Sequence, residues 1–163
     1  MSAAAIETDQ DLDAFLSGIV RIAERPDFTP ELTDWVEDTT GKLGSYMTSG
    51  RSPDGTPYRP LKHPRPAGHN QKSGPLIDLG DMLLSLIGDG SGHIESVTGS
   101  EAALGTGHVK DTNRGNIPVA SIHQHGSTKA RIPARPFVGF NPEIVAEAER
   151  LIADGFERRI AAL

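Results

Sequence analysis

The residues best able to do chemistry here are six histidines. His123 and His125 stand two apart, and on a strand both would point to the same face. His63, His69, His93 and His108 could complete a set of three or more convergent ligands, and imidazole suits zinc and iron alike. No Asp or Glu flanks the His-x-His pair at ligand spacing, so the pair reads equally well as a surface or interface feature. Ser45, Ser85, Ser91 and Ser121 are candidate nucleophiles, but none sits in a Gly-x-Ser-x-Gly elbow. Asp78 and Asp81 could work as an acid–base pair, or could serve the free N–H groups at the start of a helix. Gly105-Thr106-Gly107 is too short for a phosphate loop and lacks its Lys. With no cysteine there is no thiolate nucleophile, no disulfide framework and no cysteine-based zinc site. These pieces do not assemble an active site. No catalytic residue, metal or cofactor is expected.

Two loop segments are more distinctive. In Pro53-Asp54-Gly55-Thr56-Pro57-Tyr58 the Asp-Gly pair forms a turn stiffened by flanking prolines, and Tyr58 and Leu61 supply apolar anchors after it. In Ile132-Pro133-Ala134-Arg135-Pro136-Phe137-Val138-Gly139-Phe140 two prolines hold the chain extended, together with the residues that precede them. Phe137, Val138 and Phe140 should anchor on a core or on a neighbour. Arg135, held between rigid points, is placed for a bidentate carboxylate contact. A plain connector into the last helix is the competing and compatible reading.

The elements that must position these residues can be read from pattern. Thr8 and Asp11 form a capping-box start, and Leu12, Phe15, Leu16, Ile19, Val20 and Ala23 form an apolar stripe, which predicts a helix over 9–25. Thr29-Pro30-Glu31 opens a second helix, with Leu32, Trp35, Val36, Leu43 and Met47 inward and a stop by Gly50. Six prolines exclude a central strand or a long helix from the loop 51–75. A short helix is expected over 78–87 with Leu79, Met82, Leu83 and Leu86 inward. Strands are expected over 93–98 and 101–106, a polar loop over 107–116, and a strand over 117–124 that Pro118 demotes to an edge. Asn141-Pro142-Glu143 opens the last helix, with Ile144, Val145, Ala148, Leu151, Ile152, Phe156 and Ile160 inward. The fold class is α+β: a small antiparallel sheet flanked by N-terminal helices and a C-terminal helix, with two long Gly/Pro-rich loops. A length of 163 residues suits a single domain, 1–163.

The net charge of −6 disfavours generic nucleic-acid binding, which rests on neutralising phosphates. No apolar run is long enough for a membrane span, and the first residues lack the basic start and apolar run of a signal peptide. Charge alternates in blocks. The first 41 residues hold 10 acidic and 2 basic residues, whereas 51–72 and 110–135 each hold 5 basic and 1 acidic. Such blocks suit complementary patches between subunits, or are simply solvated faces.

Read in order, Pro53–Tyr58 with Pro60-Leu61-Lys62, Pro75–Gly80 with Leu83 and Ser85-Leu86-Ile87, Leu104-Gly105-Thr106, Ala120–Gly126 and Ile132–Gly139 resemble the phage virion morphogenesis family, the tail completion or neck proteins of Mu-like and P2-like tailed phages. The likeness covers about residues 45–140. Tyr58 stands where the family usually has Trp, Leu79 where Thr is common, and His125 where an aromatic Phe is common. The segment between Thr106 and Ala120 is longer than in many members.

The resemblance implies a non-enzymatic structural protein of the virion, made in the host cytoplasm. It would form a ring of itself, most often of six copies in such proteins, at the head–tail junction or the top of the tail. There it would adjoin a head-closure or neck ring, or tail tube and terminator proteins, with DNA passing only through the lumen and no membrane involved. Loops 51–75 and 107–131 are expected to touch neighbours. The candidate interface residues are Asp54, Gly55, Tyr58, Arg59, Leu61, Lys62, His123, Gln124, His125, Arg131, Arg135 and Phe137. The alternatives are a small metal enzyme built on His123, His125 and a loop histidine, and a connector that contacts DNA through the basic blocks.

Overall fold

A computed structural model describes residues 8–62, 65, 74–113 and 115–163. His63 and His69, two of the possible ligands, lie outside the described residues, as does much of the loop 51–75. Five helices and two antiparallel two-stranded ribbons make up an α+β fold. In chain order these are α1 (Asp9–Glu24), α2 (Thr29–Thr48), α3 (Asp81–Ile87), β1 (His93–Val97), β2 (Ala102–Thr106), β3 (Lys110–Thr112), β4 (Gly115–Ile117), α4 (Val119–His125) and α5 (Pro142–Ile160).

α2 is the central beam. Its 20 residues span about 30 Å, and Trp35, Val36, Leu43 and Met47 bury one stripe against α5, α3 and β2. Leu32 is buried on the same helix. Gly44 lets α3 come close, because a Cβ there would stand 3.1 Å from a methyl of Ile87. The start of α2 differs in detail from expectation. Thr29 is already helical, and the Asp27 carboxylate accepts from its N–H and hydroxyl at 3.1 and 2.7 Å. The core continues through Tyr58, Leu76, Met82, Leu86, Ala120, Phe137 and Ile144.

α1 has the expected ends. Thr8 and Asp11 form a full capping box. Its stripe does not bury as expected. Gly18 is buried and Phe15, Ile19 and Ile22 are half-buried, while Leu12, Leu16 and Val20 remain 42, 49 and 51% exposed. The helix is apolar over more of its circumference than α5 can cover. α5 shows the same excess, since Ile144, Ala148 and Leu151 face inward while Val145 and Ile152 stay exposed.

Three further expectations are corrected. The short helix starts at Asp81, because Gly80 takes a left-handed φ of +98° that breaks the run, and Leu79 faces solvent. Of the two acids expected at its start, Asp81 lies in the first turn, while Asp78 lies before it, 3.6 Å from Arg65. Residues 110–117, expected as loop and strand, form a hairpin in which Lys110 faces Ile117 and Thr112 faces Gly115. The strand expected over 117–124 is α4: Pro118 caps its start and Gly126, at φ +78°, ends it. Proline at the entry and glycine just past the end are helix punctuation. β1 and β2 pair as expected, with His93 opposite Thr106 and Val97 opposite Ala102.

Candidate assembly surface

The turn after α2 is held by its own side chains. Arg51 bridges to Pro57, Gly55 N–H donates to Ser52 O at 2.8 Å, and Gly55 takes a φ of +84° that favours glycine. The Asp54 carboxylate accepts from the Ser52 hydroxyl and, at 2.9 Å, from Thr56 N–H. Those bonds, the Ser52 hydroxyl first, hold its pKa below the ordinary carboxylate value. Tyr58 then enters the core, and burial pushes its phenol far above the usual range. Asn141 ties this turn to two helices. Its amide donates to Pro53 O at 3.0 Å and to the Tyr46 hydroxyl at 2.9 Å, while its carbonyl caps α5 through Ile144 N–H at 2.8 Å.

The extended segment 132–140 is fixed by α4. Gln124 acts as a substitute strand partner: its Oε1 accepts from Phe137 and Val138 N–H at 3.0 and 3.1 Å, and its Nε2 donates to Val138 O at 2.7 Å. Arg135 is 4% exposed. It does not meet a carboxylate, as its setting suggested. Its Nε donates to Arg59 O at 2.9 Å and its Nη2 to Pro60 O at 3.3 Å, so it pins the loop after Tyr58 to the body. Burial lowers its pKa. Phe137 is buried in the core, and Phe140, mostly exposed, lies 5.6 Å from the Trp35 ring.

Tyr58, Arg135 and Phe137 thus lie inside the chain, and His123 and Gln124 are half-buried. Asp54, Gly55, Arg59, Leu61, Lys62, His125 and Arg131 are exposed. The helical course of 119–125 sends the two histidines apart, because residues two apart do not share a helix face. His123 joins His108 and Asp78 in a cleft of about 370 Å3. Desolvation, then the Arg135 charge, holds the His123 pKa below its ordinary value. His125 instead lines an open groove of about 830 Å3 with Arg59, Lys62, Lys129 and Arg131. Among the described residues, no three His, Asp or Glu side chains come together as a metal site, and no helix is long and apolar enough to cross a membrane.

One buried charge site was not anticipated. Glu31, 3% exposed, receives Arg158 Nη2 at 2.7 Å and Arg159 Nη2 at 2.9 Å, which joins α2 to α5. Its pKa is lowered to about 2, chiefly by the hydrogen bond from Arg159. Gly155 makes room, because a Cβ there would stand 2.4 Å from a Glu31 carboxylate oxygen. The sequence signal was available in the Arg158-Arg159 pair and the acid at the start of α2.

The side-chain clips of Arg135, Gln124 and Asn141 thus hold two surface segments of an α+β protein in place. Residues 36–157, three quarters of the chain, match the phage virion morphogenesis family, and the chain belongs to that family. That membership gives it a role in the morphogenesis of a phage virion. No curated protein and no solved structure matches it significantly.

Proposed function

We propose that this chain is a non-enzymatic ring component at the neck or the top of a phage tail, acting in tail completion or head–tail joining. It assembles in the host cytoplasm and remains in the virion. The observation that carries this reading is the way the surface loops are built. Arg135, Gln124 and Asn141 use partly buried hydrogen bonds to fix segments 51–62 and 132–140 against the core. Ordering exposed backbone costs about 1–2 kcal/mol per residue, which suits a surface that must hold one shape for a neighbour. The exposed candidates Asp54, Arg59, Leu61, Lys62, His125 and Arg131 are then the contact residues. Tyr58, Arg135 and Phe137 act by holding them.

The test is imaging of intact particles with this chain labelled. A symmetric ring of copies between head and tail is expected. A chain absent from particles, or present as scattered single copies, overturns the proposal.

A further inference from the structure

We infer that the outer face of α1 of one copy docks into the groove formed by Arg59, Lys62, His125, Lys129 and Arg131 of the next copy. The inference rests on the ring reading above and adds which two surfaces meet.

The groove is cationic by construction. It is lined by the described residues 59, 60, 62, 125–129 and 131–134, and no carboxylate is among them. None of its Arg or Lys side chains has an ion pair among the described residues. Its tip is a tight loop closed by the Ser127–Ile132 bridge, with Ala130 N–H donating to the Ser127 hydroxyl at 3.2 Å. Arg131 takes a φ of +54° there, the only described non-glycine residue with positive φ. That conformation costs about 1–2 kcal/mol and sets Arg131 beside Lys129 at the surface. The floor is apolar, from Pro60, Ile132 and Pro133, and through His125 the groove adjoins a mainly apolar hollow of about 490 Å3 that includes Ile94 and Phe137.

α1 carries the complement. Asp9, Leu12, Asp13, Leu16 and Val20 recur at three- and four-residue spacings, so acids and exposed apolar side chains share one face. The stripe from Leu12 to Val20 is about 12 Å long. The opposite face, with Gly18, is turned to the body of the same chain. Both patches are therefore free on one copy, and they differ from each other. Contact between unlike patches is heterologous, and repetition of it gives a closed ring or a filament. A nucleic acid is the competing occupant of a cationic groove. The apolar floor and the matching acidic apolar helix favour a second copy.

The chain has no cysteine, so introduced ones report without background. In the full-length protein, Leu16→Cys together with Thr128→Cys, treated with a short bis-maleimide, should give a ladder beyond dimer, whereas either substitution alone should stop at dimer. Lys62→Glu with Lys129→Glu should cut ladder yield about tenfold or more, and adding Asp9→Lys with Asp13→Lys should restore it. Circular dichroism of each variant checks that it is folded. A ladder that is absent from folded protein, or is indifferent to the charge reversals, overturns the docking. A ring seen in particles without the ladder overturns this contact alone and leaves the ring reading intact. Duplex DNA that binds the wild type, is lost on Lys62→Glu with Lys129→Glu, and comes without a ladder, also overturns it.

Discussion

Gln124 and Arg135 show how much one side chain can organise. The Gln124 amide presents an acceptor and a donor in the order that a backbone peptide would, and so completes the pairing of Phe137 and Val138. Replacing it by Glu keeps the shape but removes the donor, and Val138 O then faces a carboxylate. A loss of about 2 kcal/mol is expected for Gln124→Glu in urea unfolding, and an unchanged midpoint would refute the pairing role. Glu31 gives a pH prediction. Its folded pKa, about 2, lies below the ordinary 4.5, so the ion-pair contribution is full above about pH 5 and is lost as pH falls towards 2. The lost contribution is at most about 3 kcal/mol. Stability measured from pH 6 to 3 should fall more steeply in wild type than in Glu31→Gln; parallel curves would contradict this. The apolar anchors Tyr58 and Phe137 were legible from their proline-stiffened settings. The partner of Arg135 was not, because a backbone carbonyl 76 residues away leaves no mark on residue type.

At the scale of elements, helix ends were easier to read than helix faces. Thr8 with Asp11 and Asn141 with Pro142 each mark a start that is decided within four residues. Which part of a broad apolar helix is covered depends on what lies across from it, and α1 was misread for that reason. The segment 117–124 failed differently. Its Ile and Val residues suggested a strand, while Pro118 and Gly126 at its two ends specified the helix that forms. Gly126 is the position where this matters most. A Cβ there would meet Ala134 N at 2.8 Å, and φ is +78°. Gly126→Ala should therefore destabilise the chain by about 2 kcal/mol or more, read by thermal or urea unfolding. A neutral result would mean that the α4 exit is not fixed as described.

On the scale of the whole molecule, α1 stands apart. The family match begins at residue 36, inside α2, and the central cluster contains no α1 residue. Deletion of residues 1–25 should leave a chain that still unfolds cooperatively, at lower stability, but no longer forms the cross-linked ladder. Loss of the cooperative transition would show instead that α1 belongs to the folding unit. The blocks of charge along the sequence do not mark this division, since the acidic block runs on from α1 into α2. What pattern could not supply was the long-range closure of the fold. Trp35, the single tryptophan, donates its indole N–H to Ile144 O at 2.9 Å, across 109 residues. Closing a loop of that length costs about 4 kcal/mol of chain entropy. α5 lies far along the chain, so the beam gains this partner only after α3 and β2 have been made. The indole thus serves as a built-in optical reporter: its emission marks the moment when α2 and α5 meet.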